Sequence, residues 1–118
     1  MKLAVTIWGN RISPVFDSAH TLLVAEIENG TIHKQFYTSF DPESPVNLRS
    51  TLTSLHIDTL VCGAISQKPA DLISDQNIHL ISFVTGNVQQ FLDSFAGCQI
   101  VEKKHMMPGF THRYQNAY

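Results

Sequence analysis

Most of the polar groups that could bind a small ligand lie in the loop after the first apolar run. This loop is NRISPVFDSAH, from Asn10 to His20, and it joins two β-rich stretches. Arg11 brings a fixed positive charge and Ser13 a hydroxyl, while Gly9 and Asn10 permit a tight turn with free backbone N–H groups. Donors of this kind form anion-binding concavities, so the loop is a candidate anion site.

The same loop also has a structural interpretation. Pro14 and Phe16 could plug the end of a sheet, and Asp17 could hydrogen-bond within its own turn. His20 closes the loop, and imidazole is the commonest side-chain ligand of metals. The loop therefore predicts either a contact with an anion or metal, or a plain connection between strands.

A second candidate lies in LVCGAI, at the C-terminal end of a predicted buried strand. Open α/β sheets bind ligands at that end of their strands, so the Cys62 thiolate is a candidate metal ligand. Gly63 would let a ligand approach the backbone. Cysteine is also among the most buried residue types, and a small core residue is the commoner outcome.

A third group of soft ligands lies near the C-terminus, where His105, Met106 and Met107 combine an imidazole with two thioethers. Such ligands suit copper(I) or metal–sulfur clusters. The competing interpretation is a flexible tail in which Met107 and Pro108 pack onto a groove, because adjacent side chains of an extended chain point in opposite directions. No C-x-x-C is present, and histidine spacing predicts no preformed zinc site.

The elements that must position these residues begin with a buried central strand. KLAVTIW, Lys2–Trp8, is nearly continuous apolar sequence with β-branched residues, as in a strand covered on both faces. Asn29 and Gly30 separate two β-rich runs, and this dipeptide predicts a hairpin with a type I′ turn. The paired strands should cover residues 21–28 and 31–40.

Alternating helices and strands follow the hairpin. Helices are predicted to start near Pro45, Ser66 and Asn87, with strands at residues 58–65 and 77–84 between them. Asn87 with Gln90 resembles a capping box, and Gly97 should end the last helix. Residues 1–98 are predicted to form one domain, and 99–118 a tail with one short strand at 99–102.

This order predicts an α/β fold of the ribonuclease-H-like arrangement. Its mixed five-stranded sheet should have an antiparallel hairpin at one edge, parallel βαβ strands beside it and helices packed on it. Nucleases of this arrangement hold metal ions with carboxylates on central strands. Residues 2–8 and 60–65 contain no Asp or Glu, and no P-loop, G-x-S-x-G or G-x-G-x-x-G is present. We therefore expect no enzymatic activity.

Composition and charge limit the kinds of partner that we expect for this chain. The chain has 118 residues, a net charge of -2 and only 15% charged residues. A polybasic face for nucleic acid is missing, and no apolar run reaches the roughly 18 residues of a membrane span. The N-terminus does not resemble a signal peptide, which predicts a cytoplasmic protein. The low charged share indicates covered surface, as in a homodimer or a docking face.

Three segments carry a resemblance to a known family: SPVFDSAHTLLVAEIENG, LVCGAIS and FVTGNVQQFLDSFAG. In this order they resemble the dinitrogenase iron-molybdenum cofactor biosynthesis family, over residues 2–97. The resemblance implies a ribonuclease-H-like fold without nuclease activity in a single-domain member. It also implies binding or carriage of a metal–sulfur cluster, such as an iron-molybdenum cofactor precursor or a molybdenum–copper sulfide.

The sequence departs from this family at one position of the loop. Members that bind cofactor often have H-F-G where this chain has Val15, Phe16 and Asp17. The imidazole is absent, and His20 could substitute only if the next strand starts late. The cofactor-binding residues expected with this resemblance are Asn10, Arg11, Ser13, Phe16, Asp17 and Gly63. The expected metal ligands are Cys62, His20, His105, Met106 and Met107.

Two functions of different classes follow. The first is non-enzymatic binding or carriage of a metal–sulfur cluster, with a cluster donor or acceptor protein as partner. The alternative is a protein-interaction or regulatory module of the same fold without a cluster, in which the tail acts as a docking peptide.

Overall fold

Lys2–Trp8 forms β1, the central strand of a mixed sheet. The computed structural model describes residues 1–98 and 101–107. Residues 3–7 of β1 are buried because helices cover both faces of the sheet. The near-continuous apolar sequence of this strand follows from that double burial.

The predicted hairpin is present, with β3 at Thr21–Glu28 and β4 at Thr31–Ser39. Between β1 and β3, the two residues Arg11–Ile12 form β2. The hairpin turn has positive φ at both Asn29 (52°) and Gly30 (76°), as a type I′ turn requires. The turn therefore fixes the pairing of β3 with β4.

The main path of the sheet has the order β4-β3-β1-β5-β6, where β5 is Thr59–Val61 and β6 is His79–Ile81. β5 is parallel to both β1 and β6, and β3 is antiparallel to β1 and β4. The predicted α/β class and these five strands are confirmed. β2 pairs with β1 outside this path and makes the sheet six-stranded, which the sequence pattern did not predict.

Three α-helices of the described residues pack on the sheet: α1 is Pro45–Ser54, α2 is Gln67–Ser74 and α3 is Val88–Cys98. The side chain of Ser44 accepts the N–H of Asn47 at the start of α1. Asn87 caps α3 by accepting the N–H of Gln90 at 3.0 Å. The predicted stop at Gly97 is wrong by one residue, because α3 continues to Cys98.

Alternate residues of the strands contribute to two apolar clusters, one on each face of the sheet. Leu3 and Val5 of β1 pack with α3, whereas Ala4 packs with Leu48 of α1 and Ile73 of α2. The sheet is thus enclosed between α3 on one face and α1 with α2 on the other.

Residues 103–107, here called the tail strap, lie against the segment that follows β6. Met106 forms an antiparallel bridge with Val84, and the N–H of Met107 donates to the carbonyl of Phe83 at 3.0 Å. These residues are therefore packed on the domain, as the predicted packing of Met107 onto a groove requires. Of the predicted strand at 99–102, residues 99 and 100 lie outside the described part, and 101 and 102 are not in a strand.

The lengths and apolar content of the helices bear on membrane insertion. Within residues 1–98 and 101–107, none is both long and apolar enough to span a membrane.

Candidate functional site

The loop of residues 10–20, here called the site loop, lies at the C-terminal end of β1, as predicted. Gly9 has a φ of +64° and starts the two-residue turn that pairs Trp8 with Arg11. The ends of β5 and β6 point to the same edge of the sheet because both strands run parallel to β1. The loop is therefore placed where open α/β sheets bind ligands.

Hydrogen bonds within the fold use several polar groups of the site loop, and one of them is the Ser13 hydroxyl that was predicted to bind an anion. The N–H groups of Ile12, Ser13 and Phe16 donate to backbone carbonyls at 2.9, 2.9 and 2.7 Å. The Ser13 hydroxyl donates to the carbonyl of Val15 at 3.0 Å, and Ser13 is buried. The predicted contact of the Ser13 hydroxyl with an anion is therefore corrected, because the loop uses this group and these N–H groups to hold its own conformation.

Gly63 lets the site loop, rather than a ligand, lie close to the backbone at the end of β5. A Cβ atom at this position would lie 2.4 Å from the carbonyl oxygens of Ser13 and Pro14. The carbonyl of Pro14 in turn accepts the N–H of Ala64 at 2.8 Å. The prediction that Gly63 contacts a cofactor is corrected, since the site loop occupies the space above it.

Phe16 and Asp17 also attach the loop to the domain. Phe16 is fully buried, with its ring 5.5 Å from that of Phe40, so its predicted contact with a cofactor is wrong and the plug interpretation holds. Asp17 accepts hydrogen bonds from the N–H of Ser66, at 3.0 Å, and from its hydroxyl. This carboxylate brings a negative charge to the start of α2 and disfavours an anion there.

Cys62 is a core residue and not an accessible ligand. Its side chain is fully buried in the cluster beneath α1 and α2. Burial raises the pKa of the Cys62 thiol far above its ordinary value, and the negative charge of Asp17 adds to that effect. Because metals bind the thiolate, the predicted role of Cys62 as a metal ligand is wrong in this conformation.

A cleft of about 330 Å³ lies beside the end of β1 and brings two predicted residues, Ser13 and His20, together. β3 begins at Thr21, so His20 belongs to the loop and its exposed imidazole lines the cleft. Trp8 forms another wall and is 75% exposed. Sequence reasoning missed Trp8, although its position at the last residue of a buried strand was the available signal.

Arg11 and Asn10 lie beside this cleft, on the turn that carries Trp8. Both are exposed, and Arg11 is directly opposite Trp8 in the pairing of β1 with β2. The carbonyl of Asn10 accepts the N–H of Val88 at 2.9 Å, so the turn is attached to the start of α3. Arg11 therefore remains a source of positive charge next to the cleft.

The soft ligands of the tail strap are not close to His20 in the sheet order. They lie beyond β6, whereas the cleft lies at β1 and β3, on the other side of β5. His105 is buried and Met106 is partly buried against the α3 cluster. Among the residues that the structure describes, no three His, Cys, Asp or Glu side chains are grouped to hold a metal ion.

The fold and site define a small α/β domain with the exposed imidazole of His20 and the exposed guanidinium of Arg11 at the C-terminal edge of a mixed sheet. The sequence profile described as dinitrogenase iron-molybdenum cofactor matches residues 1–97. The chain belongs to this family, as the sequence resemblance predicts. A search of curated protein sequences found no match.

Solved structures share the architecture at low sequence identity. PH0822 is 13% identical, with a TM-score of 0.76 over 86% of this chain and 93% of that one. MJ0327 from Methanocaldococcus jannaschii, described as dinitrogenase-like, is 16% identical, with a TM-score of 0.65 over 81% and 88%. The NifB-like TM1290 from Thermotoga is 15% identical, with a TM-score of 0.61 over 92% and 98%. These similarities show the common fold.

Proposed function

We propose that this protein binds a metal–sulfur cluster as cargo and carries it without catalysing a reaction. The observation that supports the proposal is the exposed imidazole of His20 in the cleft at the end of β1, in a chain of the iron-molybdenum cofactor family. Neutral imidazole is a ligand for iron and copper. His20 would take the place of the histidine that is missing at Val15.

The charges and surfaces around His20 agree with an anionic cargo. Arg11 adds a positive charge beside the cleft, and Trp8 adds an exposed aromatic wall. The Asp17 carboxylate is hydrogen-bonded to Ser66 at the start of α2. One imidazole and one cation should hold a cluster loosely, as transfer to another protein requires.

A carrier needs a protein that supplies the cluster and one that receives it. We expect such a donor or acceptor to dock at the edge of the sheet where Trp8 and Arg11 are exposed, in the cytoplasm. β1 and β5 carry no carboxylate for metal-dependent hydrolysis, which supports a role without catalysis.

Anaerobic reconstitution tests the proposal. Protein is incubated with iron, molybdate, copper and sulfide and then separated by gel filtration, and its visible absorption and metal content are measured. His20→Ala should lose most of the bound metal, whereas His33→Ala, which removes an exposed histidine from β4, should retain it. Equal metal content in both variants, or no coloured species with the wild type, would refute the proposal.

The second candidate function, a protein-interaction module, is favoured by the exposure of Trp8. Tryptophan dominates the binding energy of many interfaces, and Trp8 is 75% exposed while Val15 nearby is 41% exposed. Residues 103–107 of the tail are packed on the domain, and residues 108–118 lie outside the described part, so we assign the docking role to the edge with Trp8. Affinity for a partner that is lost in Trp8→Ala, kept in Tyr37→Ala and independent of bound metal would favour this function over carriage.

A further inference from the structure

His105 attaches the tail strap to the segment after β6 through two hydrogen bonds, both with Thr85. Its carbonyl accepts the N–H of Thr85 at 2.7 Å, and its Nδ1 lies 3.1 Å from the carbonyl oxygen of Thr85. A carbonyl oxygen can only accept, so Nδ1 carries the proton and donates. The other ring nitrogen, Nε2, is buried and has no partner among the described residues.

The imidazole of His105 fills a space that only a glycine leaves open. Gly86 has a φ of +116°, and a Cβ atom on it would lie 2.8 Å from Nδ1 of His105. On its other side the ring meets the edge of Phe91, at 5.5 Å between centroids and 89° between planes. This packing places Nδ1 against the backbone at residues 85–86, where its hydrogen bond to Thr85 can hold that backbone.

The same backbone holds the first part of the site loop. The N–H of Ile12 donates to the carbonyl of Gly86 at 2.9 Å, and the N–H of Val88 donates to the carbonyl of Asn10 at 2.9 Å. Between these bonds, Arg11 forms an antiparallel bridge with Asn87. A continuous series of contacts thus links His105 to the turn that carries Arg11 and Trp8.

We propose that His105 is a positioning residue for the site loop and that the tail strap sets the place of Arg11 and Trp8 at the cleft. The Nδ1 hydrogen bond holds residues 85–87, and these residues hold β2. The strap acts at a distance, because it lies beyond β6 while the cleft lies beside β1. The claim that the positions of Arg11 and Trp8 matter for cluster binding rests on the proposed function. The structural coupling between the tail strap and β2 does not depend on it.

Two substitutions separate the hydrogen bond from the bulk of the ring. In His105→Asn, the amide nitrogen takes the place of Nδ1 and keeps the donor, and nothing is lost at Nε2 because that atom has no partner. In His105→Gln, the amide nitrogen takes the place of Nε2, so the bond to Thr85 is lost. Amide hydrogen exchange at Ile12 and Val88 reports the two bonds that hold β2.

We expect exchange at Ile12 and Val88 to rise about tenfold in His105→Gln and to stay near the wild-type rate in His105→Asn. Ser13 and Phe16 serve as internal controls, because their N–H groups donate to Thr6 and Ala64 and not to residues 85–88. Unchanged exchange at Ile12 in His105→Gln would overturn the proposal. Equal effects of both substitutions, or a uniform rise at all four amides, would also overturn it.

If His105→Gln does not fold, amide hydrogen exchange of the wild-type protein in low concentrations of denaturant tests the coupling between the tail strap and β2. The N–H groups of Thr85 and Met107, which tie the strap, should then open in the same unit as those of Ile12 and Val88. Opening of the strap while Ile12 stays protected contradicts the coupling. In a separate anaerobic reconstitution, His105→Gln should bind less metal than His105→Asn. Absence of metal in the wild type would refute only the proposed function.

Discussion

At the scale of single residues, contacts of the chain with itself decide which groups of the site loop stay available. Phe16 and Gly63 have residue types that suit a ligand site, yet one is buried and the other makes room for the loop. These contacts join residues that are far apart in the sequence, so local sequence patterns do not reveal them. Arg11 and His20 keep exposed side chains, so they remain candidates for the predicted contact with an anion or metal.

Gly63→Ala tests how tightly the loop is packed on the end of β5. The new methyl group would meet two carbonyl oxygens at 2.4 Å, and neither can move without the backbone. We expect the free energy of unfolding to fall by about 3 kcal/mol in urea titrations. Gly97→Ala is the control, because a Cβ there meets no atom within 4 Å and alanine favours a helix by about 0.5–1 kcal/mol. Equal losses in both variants would contradict the packing.

The raised pKa of the Cys62 thiol predicts how stability depends on pH. The folded state keeps its proton where the unfolded chain loses it, so this contribution is complete below the ordinary thiol pKa and declines as pH rises above it. Between about pH 7 and 10, the wild type should therefore lose stability relative to Cys62→Ala. Guanidinium unfolding of both proteins across this range measures the difference. A constant difference would show that Cys62 titrates normally.

At the scale of elements, the sequence predicts the parts that carry a local signal. Asn29 and Gly30 specify a turn through their own positive φ angles, and Asn87 caps α3 as expected. β2 has only two residues, which is too short for an alternation of apolar and polar residues to predict it. Its existence depends on partners at residues 7–8 and 87, just as the tail strap depends on residues 83–85. The candidate site was predictable in position, but its contacts were not.

The cap of α3 gives a prediction at this scale. Asn87→Ala removes the side chain that accepts the N–H of Gln90, so the protein should lose about 1 kcal/mol of unfolding free energy. Asn87→Asp should retain most of it, because the carboxylate accepts the same bond and favours the helix N-terminus. Thermal unfolding followed by circular dichroism compares the three proteins. Similar losses in both variants would mean that the cap does not support α3.

At the scale of the whole molecule, one sheet lies between two separate apolar clusters of described residues. Side chains of β1 alternate between the layer with α3 and the layer with α1 and α2. The site loop pairs with β1 and the tail strap pairs with the segment after β6, so both are attached to this one sheet. Stability should therefore be cooperative across layers, while the packing energies within each layer stay separate.

Double substitutions measure this separation. Leu52→Val acts in the α1 layer and Phe95→Leu in the α3 layer, and each should lower the unfolding free energy by about 1 kcal/mol. Because the sheet lies between them, their effects should add within about 0.5 kcal/mol in urea titrations. Phe91→Leu with Phe95→Leu is the matched pair in contact, since these rings stack at 5.2 Å, and it should deviate from additivity by about 0.5–1.5 kcal/mol. A larger coupling across the sheet than within the α3 layer would show that the two clusters pack as one core.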